Sequence, residues 1–111
     1  MLDKANWNNV EFSVHKPDTS WKDSAGLYIF AGVNPQNKWV ALYIGQTSSL
    51  AERLATHERW SEAARLGATH IHARVVTNQA ERDTLEKHLI QAYQPRLNVQ
   101  LKNSLSSFLP Q

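Results

Sequence analysis

GLYIFAGVNPQNKWVALYIGQTSSLAERLATH (residues 26–57) holds two apolar runs that each set a tyrosine near a glycine, Gly26-Leu27-Tyr28 and Tyr43-Ile44-Gly45. The first run is rich in β-branched and aromatic residues and closes on the breaker cluster NPQN; the second, KWVALYIG, follows at once. So short a connection predicts an antiparallel hairpin. The pattern then changes. Ser49-x-x-Glu52 has the form of a capping box, and Leu50, Leu54 and Ala64 predict a helix over about 50–66, stopped by Gly67. Such a helix carries Arg53 and, at i+4, His57 on one face.

Outward from this stretch, THIHARVV (69–76) alternates Ile71, Ala73 and Val75 against His70, His72 and Arg74, the pattern of a half-buried strand. Asn78-x-x-Glu81 opens a second helix that runs through about Tyr93 and is ended by Pro95. Upstream, Val10, Phe12 and Val14 alternate with polar residues and suggest an extra N-terminal strand before a turn at Pro17, Asp18 and Ser20. The order strand, strand, helix, strand, helix is that of an α+β domain. It divides into an N-terminal extension (1–25), a domain (26–98) and a C-terminal tail without clear period (99–111).

The length of 111 residues bounds the chain to one domain. No apolar run is long enough to span a membrane, and the N-terminus lacks the pattern of a secretory signal. No cysteine is present, which removes disulfides, thiolate metal sites and cysteine nucleophiles and fits a reducing, cytoplasmic compartment. A net charge of +2 is far from a nucleic-acid wrapper, so a basic face exists only if the fold gathers residues such as Arg53, Arg59, Arg65, Arg74, Lys87 and Arg96.

Several chemistries are excluded by pattern. His70 and His72, two apart on a strand, have no third ligand at zinc spacing and read as surface groups. No Gly-x-Ser-x-Gly elbow and no phosphate loop with a lysine occurs. The tyrosines carry more. A hairpin can bring Tyr28 and Tyr43 to one edge of the sheet, with Arg53 and His57 reaching the same space from the next helix. Two phenols, a guanidinium and an imidazole make a place for a phosphodiester, whose oxygens arginine holds bidentately. One carboxylate would complete it by holding a divalent metal. Glu86, bordering the Leu85/Leu89 stripe of the second helix, is the best candidate.

These residues resemble the GIY-YIG nucleases. The two tripeptides carry the family's paired motif, and YIGQTSSLAERLATH looks like the stretch leading to its essential arginine, here Arg53. His57, Glu86 and Asn98 in QPRLN are similar to further family positions, so the resemblance covers 26–98. It implies a central three-stranded antiparallel sheet flanked by helices and metal-assisted hydrolysis of DNA phosphodiesters with magnesium or manganese. By resemblance Glu86 would ligate the metal and Arg53 would neutralise charge on the phosphoryl oxygens. Tyr28 or Tyr43 would orient and deprotonate water, His57 would serve as an alternative base or phosphate contact, and Asn98 would fix geometry through hydrogen bonds. Gly45, Gln46, Thr47, Arg59, Lys87 and Arg96 are the expected nucleic-acid contacts. Gln46 stands where relatives resembling the excision-repair nuclease carry lysine.

The expectation from these 111 residues is a chain without the DNA-recognition arm of homing enzymes or the added domains of repair enzymes. The reading is therefore a small stand-alone endonuclease of repair or recombination. Its specificity would come from DNA structure (duplex, single-stranded or branched), from a homodimer or from a protein partner. The alternatives are a catalytically silent nucleic-acid-binding module and a protein-interaction module on the same fold.

Overall fold

The computed structural model describes residues 4–98. Its eight elements are β1 (Lys4–Trp7), β2 (Val10–His15), β3 (Gly26–Val33), β4 (Trp39–Thr47), α1 (Leu50–Ala55), α2 (Trp60–Arg65), β5 (Ala68–Val75) and α3 (Gln79–Tyr93). The strands form one five-stranded sheet in the order β1-β2-β5-β3-β4, with every pairing antiparallel. The expected trio β5-β3-β4 is present as one side of this sheet, with β4 at its edge. The N-terminal segment supplies two strands rather than one, and the hairpin β1-β2 extends the same sheet through β2.

The run GLYIFAGV is apolar throughout because β3 is covered on both faces. Leu27, Ile29 and Ala31 pack with Ile44, Phe12, Trp7 and Leu89 of α3. Tyr28 and Phe30 point the other way, onto Leu50 and Leu54 of α1, Ala63 of α2, Ile71 and Leu97. In the β3–β4 ladder Phe30 pairs with Tyr43 and Ala31 with Ala41, so Leu42 is the extra residue of a bulge. The bulge puts Leu42 and Tyr43 in one cluster while Ala41 and Ile44 lie in the other.

Both N-cap side chains engage, but the Ser49 box forms only by half, its own N–H donating to Thr47 Oγ1 rather than to Glu52. Ser49 Oγ accepts from the Glu52 amide at 3.2 Å and Asn78 Oδ1 from the Glu81 amide at 2.9 Å. The first two orphan amides of α1 are taken by carbonyls of the connection between β2 and β3, Leu50 N–H by Ser24 and Ala51 N–H by Lys22. At the far end of α3, Gln94 adopts the left-handed conformation (φ 46°) before Pro95.

Three expectations are corrected. The helix expected over about 50–66 is two helices, because Thr56 is extended (φ −144°, ψ 114°) and the chain turns His57 inward before α2 begins. His57 therefore reaches the site from a connection, not from an i+4 helical position. His72 is not a surface group. It is wholly buried, since β5 lies inside the sheet and Trp7 and Trp39 close over that face. The Trp7 indole N–H donates to its Nδ1 at 2.9 Å, and burial holds the ring uncharged with a pKa lowered to about 4. Val75, expected on the buried side of β5, is instead exposed. Among the described residues no helix is long and apolar enough to cross a membrane, and no trio of His, Asp and Glu side chains is placed to hold a metal. The tail 99–111 lies outside the described residues.

Candidate active site

Antiparallel register decides how the two tyrosine motifs meet. Tyr28 lies opposite Gly45, and Tyr43 lies opposite Phe30, two positions along on the same face. The phenol rings sit with centroids 6.3 Å apart. Gly45 is needed for space: a Cβ there would stand 2.4 Å from the Tyr28 hydroxyl. The second glycine of the paired motif thus lets the first tyrosine lie across the neighbouring strand, which accounts for a buried residue expected among the nucleic-acid contacts.

His57 packs edge-on to both phenols, at 5.4 Å from each ring. Its Nε2 is 2.9 Å from Tyr28 Oη, and its Nδ1 accepts the Arg59 main-chain N–H at 3.0 Å. An atom that accepts an amide proton carries none of its own, so in the neutral ring Nε2 bears the hydrogen and donates to Tyr28. Burial, then the charge of Arg53, lowers the His57 pKa to about 4, and the ring is neutral at physiological pH.

Arg53, near the end of α1, sets a positive charge beside Tyr28, and that charge and its hydrogen-bonding capacity both lower the phenol's pKa. Both oppose the burial that pushes the Tyr28 phenol well above its ordinary value; the charge of Tyr43 also raises it. Tyr43, half-buried, is raised by burial and pulled back by Arg53. Both terminal nitrogens of Arg53 bind the Glu58 carboxylate at 2.8 Å. Glu58 carried no motif signal and was not anticipated from sequence.

Glu86 comes to β4 from α3. Its half-buried carboxyl is raised by desolvation, lowered by hydrogen bonds from Gln46 and raised again by Asp83. Its charge acts on both phenols, which brings it into the same constellation as Arg53. No cation pairs with it among the described residues. A partly desolvated carboxylate with no ion pair and one acidic neighbour suits a hard cation that keeps most of its waters.

Gln46 is held at both ends. Its Oε1 accepts from Arg82 Nε at 3.1 Å, and its Nε2 donates to Asp83. Arg82, buried, also donates to the carbonyls of Val76 and Thr77, tying the start of α3 to β4. Sequence reading missed it, although its spacing to Leu85 and Leu89 places it on the buried stripe. Thr47 Oγ1 is engaged with the main chain of Ser49 in the turn into α1. Arg59 pairs with Glu62, while Lys87 and Arg96 are exposed and available to an anionic ligand. Asn98 clips the open edge of β4: Oδ1 accepts Ile44 N–H at 2.8 Å and Nδ2 donates to Ile44 C=O at 2.9 Å. One amide thus stands in for a neighbouring strand beside Tyr43.

The chain is similar to the N-terminal GIY-YIG endonuclease domain of UvrC from Thermotoga maritima. One solved form of that domain, a tyrosine-to-phenylalanine variant bound to its catalytic divalent cation, is 30% identical with a TM-score of 0.55, covering 68% of this chain and 83% of that one. The chain belongs to the GIY-YIG nuclease family. The magnesium-bound form of the same domain is 29% identical, with a TM-score of 0.56 and 84% of it covered. Among curated proteins, UvrABC system protein C of Thermotoga maritima is 35% identical over 86 residues, 74% of this chain. That of Chlamydia trachomatis is 33% identical over 101 residues, 82% of this chain. The chain spans 14% and 16% of the length of these two GIY-YIG relatives. No family model matches it.

Proposed function

We propose that this domain hydrolyses DNA phosphodiester bonds as a divalent-metal-dependent endonuclease. The observation that carries the reading is the convergence of Tyr28, Tyr43, Arg53 and His57 on one patch that also feels the charge of Glu86. Likeness to the magnesium-bound nuclease domain of UvrC supports both the reaction and the metal. A magnesium or manganese ion bound at Glu86 would supply Lewis acidity at the phosphate.

The chain's own residues do the rest. The Arg53 guanidinium stays charged at any working pH and neutralises charge growing on the phosphoryl oxygens. Water attacks phosphorus as the ionised fraction of Tyr28, a phenolate, takes its proton; the bond from phosphorus to the leaving oxygen breaks, and that oxygen departs as an alkoxide protonated by solvent. His57 cannot take the water proton: Nε2 already bears a hydrogen and Nδ1 is held by the Arg59 amide. Its task is to donate to Tyr28 Oη and, with the positive charge of Arg53, favour the phenolate against burial. Asn98 keeps β4, and Tyr43 on it, in register. Lys87 and Arg96 contact the flanking backbone. Selection of a duplex, single-stranded or branched substrate comes from DNA shape or from a partner, a reading supported by relatives whose name makes them one component of a system, UvrABC.

Incubating the chain with plasmid, single-stranded and branched DNA in magnesium, manganese or EDTA tests this, beside Glu86→Ala and Arg53→Ala. Cleavage should require metal and disappear in both variants. DNA binding without cleavage in any condition would make the domain a silent binder, and cleavage undiminished in both variants would refute the site.

A further inference from the structure

Arg53 is not free to receive a phosphate in the unliganded protein. Nη1 and Nη2 each donate to one oxygen of Glu58 at 2.8 Å, the fork-to-fork geometry a guanidinium also makes with two phosphate oxygens. The carboxylate is held there by little else. Its side chain is 66% exposed, and its other near neighbour is Nδ1 of His57 at 4.0 Å, the atom already bound to the Arg59 amide. Glu58 lies in the turn between α1 and α2, so its side chain can swing into solvent without unwinding either helix. The Arg53 side chain is only 33% exposed and stays anchored beside Tyr28.

We propose that Glu58 is a tethered phosphate surrogate: it holds the Arg53 fork aligned for an anion and yields it to a backbone phosphate of the nucleic acid. This rests on the reading that Arg53 binds the scissile phosphate. Glu58 is thereby a specificity-determining residue for anions. A carboxylate on the same chain competes at high effective concentration, so a lone inorganic phosphate displaces it poorly. A phosphodiester already held at neighbouring points displaces it readily.

The exchange has an ionic signature. When a phosphate replaces Glu58 on Arg53, one anion leaves as another arrives, and the contact releases no counterion from the DNA beyond that swap. Removing the Glu58 charge leaves Arg53 with an uncompensated positive charge, and its DNA contact then steepens the dependence of log affinity on log salt by about 0.9. Affinity should rise about 2- to 5-fold, the range expected for releasing an exposed ion pair.

The experiment measures anisotropy of labelled duplex and single-stranded oligonucleotides in EDTA across a potassium chloride series. It uses the wild-type chain, Glu58→Gln, Arg53→Ala, the double variant and Glu11→Gln, which makes the same charge change on β2. Glu58→Gln should bind tighter with the steeper slope, Glu11→Gln should keep the wild-type slope, and the double variant should match Arg53→Ala. Inorganic phosphate should raise the unfolding temperature of Glu58→Gln more than that of wild type. Unchanged or weaker binding by Glu58→Gln, an equal effect of Glu11→Gln, or a Glu58→Gln effect that persists without Arg53 overturns the proposal. If Arg53→Ala instead binds and cleaves like wild type, the underlying assignment of Arg53 fails; loss in Arg53→Ala with a silent Glu58→Gln defeats the surrogate alone.

Discussion

Nε2 of His57 and the hydroxyl of Tyr28 lie 2.9 Å apart, and the direction of that hydrogen bond is set from the far side of the ring, where Nδ1 accepts the Arg59 amide. Of the three candidates for general base, Tyr28, Tyr43 and His57, this arrangement speaks against His57, and the pH dependence of cleavage tests it. A histidine titrating at about 4 would give a rate already level by pH 6. A phenol raised by burial ionises more with each added pH unit. Single-turnover cleavage at saturating metal should therefore climb between about pH 7 and 9, and Tyr28→Phe should lose roughly 10²- to 10⁴-fold together with that climb. A profile flat from pH 6 upward would move the base elsewhere.

His57→Gln and His57→Leu separate donation from bulk. Glutamine can present an N–H toward Tyr28 Oη and leucine cannot, so the glutamine variant should keep several-fold more activity at equal thermal stability. Equal loss in both, with the pH profile unaltered, would reduce His57 to packing.

Gly45→Ala tests the close approach between the strands. The added methyl falls 2.4 Å from Tyr28 Oη and 2.5 Å from the ring carbon that bears it. Because ring and hydroxyl both obstruct it, the phenol must move away from His57. Stability should drop by about 1–3 kcal/mol in denaturant titration, and cleavage should fall further than that loss of folded protein explains. Full activity in Gly45→Ala would show that Tyr28 is not needed where it stands.

Asn98→Ala removes both bonds to Ile44, at about 0.5–1.5 kcal/mol each. Asn98→Asp restores the acceptor but turns a carboxylate oxygen toward the Ile44 carbonyl, so it should recover nothing. Hydrogen exchange of the Ile44 amide reads the edge directly: it should speed up in the alanine variant, and unaltered protection would mean that Asn98 is dispensable to β4.

Acid should unfold the domain through two histidines. His57 and His72 titrate near 6.5 in the unfolded chain and at about 4 when folded, so the unfolded state binds more protons between those values. Stability is full above about pH 6.5, declines as pH falls toward about 4 and then levels for these two groups; together they contribute on the order of a few kcal/mol. Unfolding temperatures recorded from pH 8 to 4.5 should be level above 7 and fall below 6.5. His72→Gln should flatten part of that fall, and a level curve down to pH 5 would contradict the burial of both rings.

Much of the site is written locally. Alternation and turn residues predict the β3–β4 hairpin, and Ser49 and Asn78 announce the starts of α1 and α3, because caps and turns depend on neighbours a few residues away. Tyr28, Tyr43 and Arg53 could be named in advance from the paired tripeptides and the stretch after them, while Glu86 followed from its place beside Leu85 and Leu89, and His57 and Asn98 from the resemblance to the family. The break between α1 and α2 could not be named in advance. Leu50, Leu54 and Ala64 keep a helical spacing across it, whereas the turn at Thr56 sends the His57 ring onto Tyr28, Phe30 and Tyr43, residues distant in the chain.

Local residue chemistry, then, was enough to set strand, turn and cap positions in this chain and to supply groups fit for a phosphodiester. Which side of β5 is dry, which nitrogen of His57 holds its proton, what occupies Arg53 and why Arg82 is buried all depended on contacts between residues far apart in the chain. Trp7 seals His72 across 65 positions and Asn98 holds Ile44 across 54. Burial and hydrogen-bond direction are properties of the assembled neighbourhood, and no run of adjacent residues contains that neighbourhood.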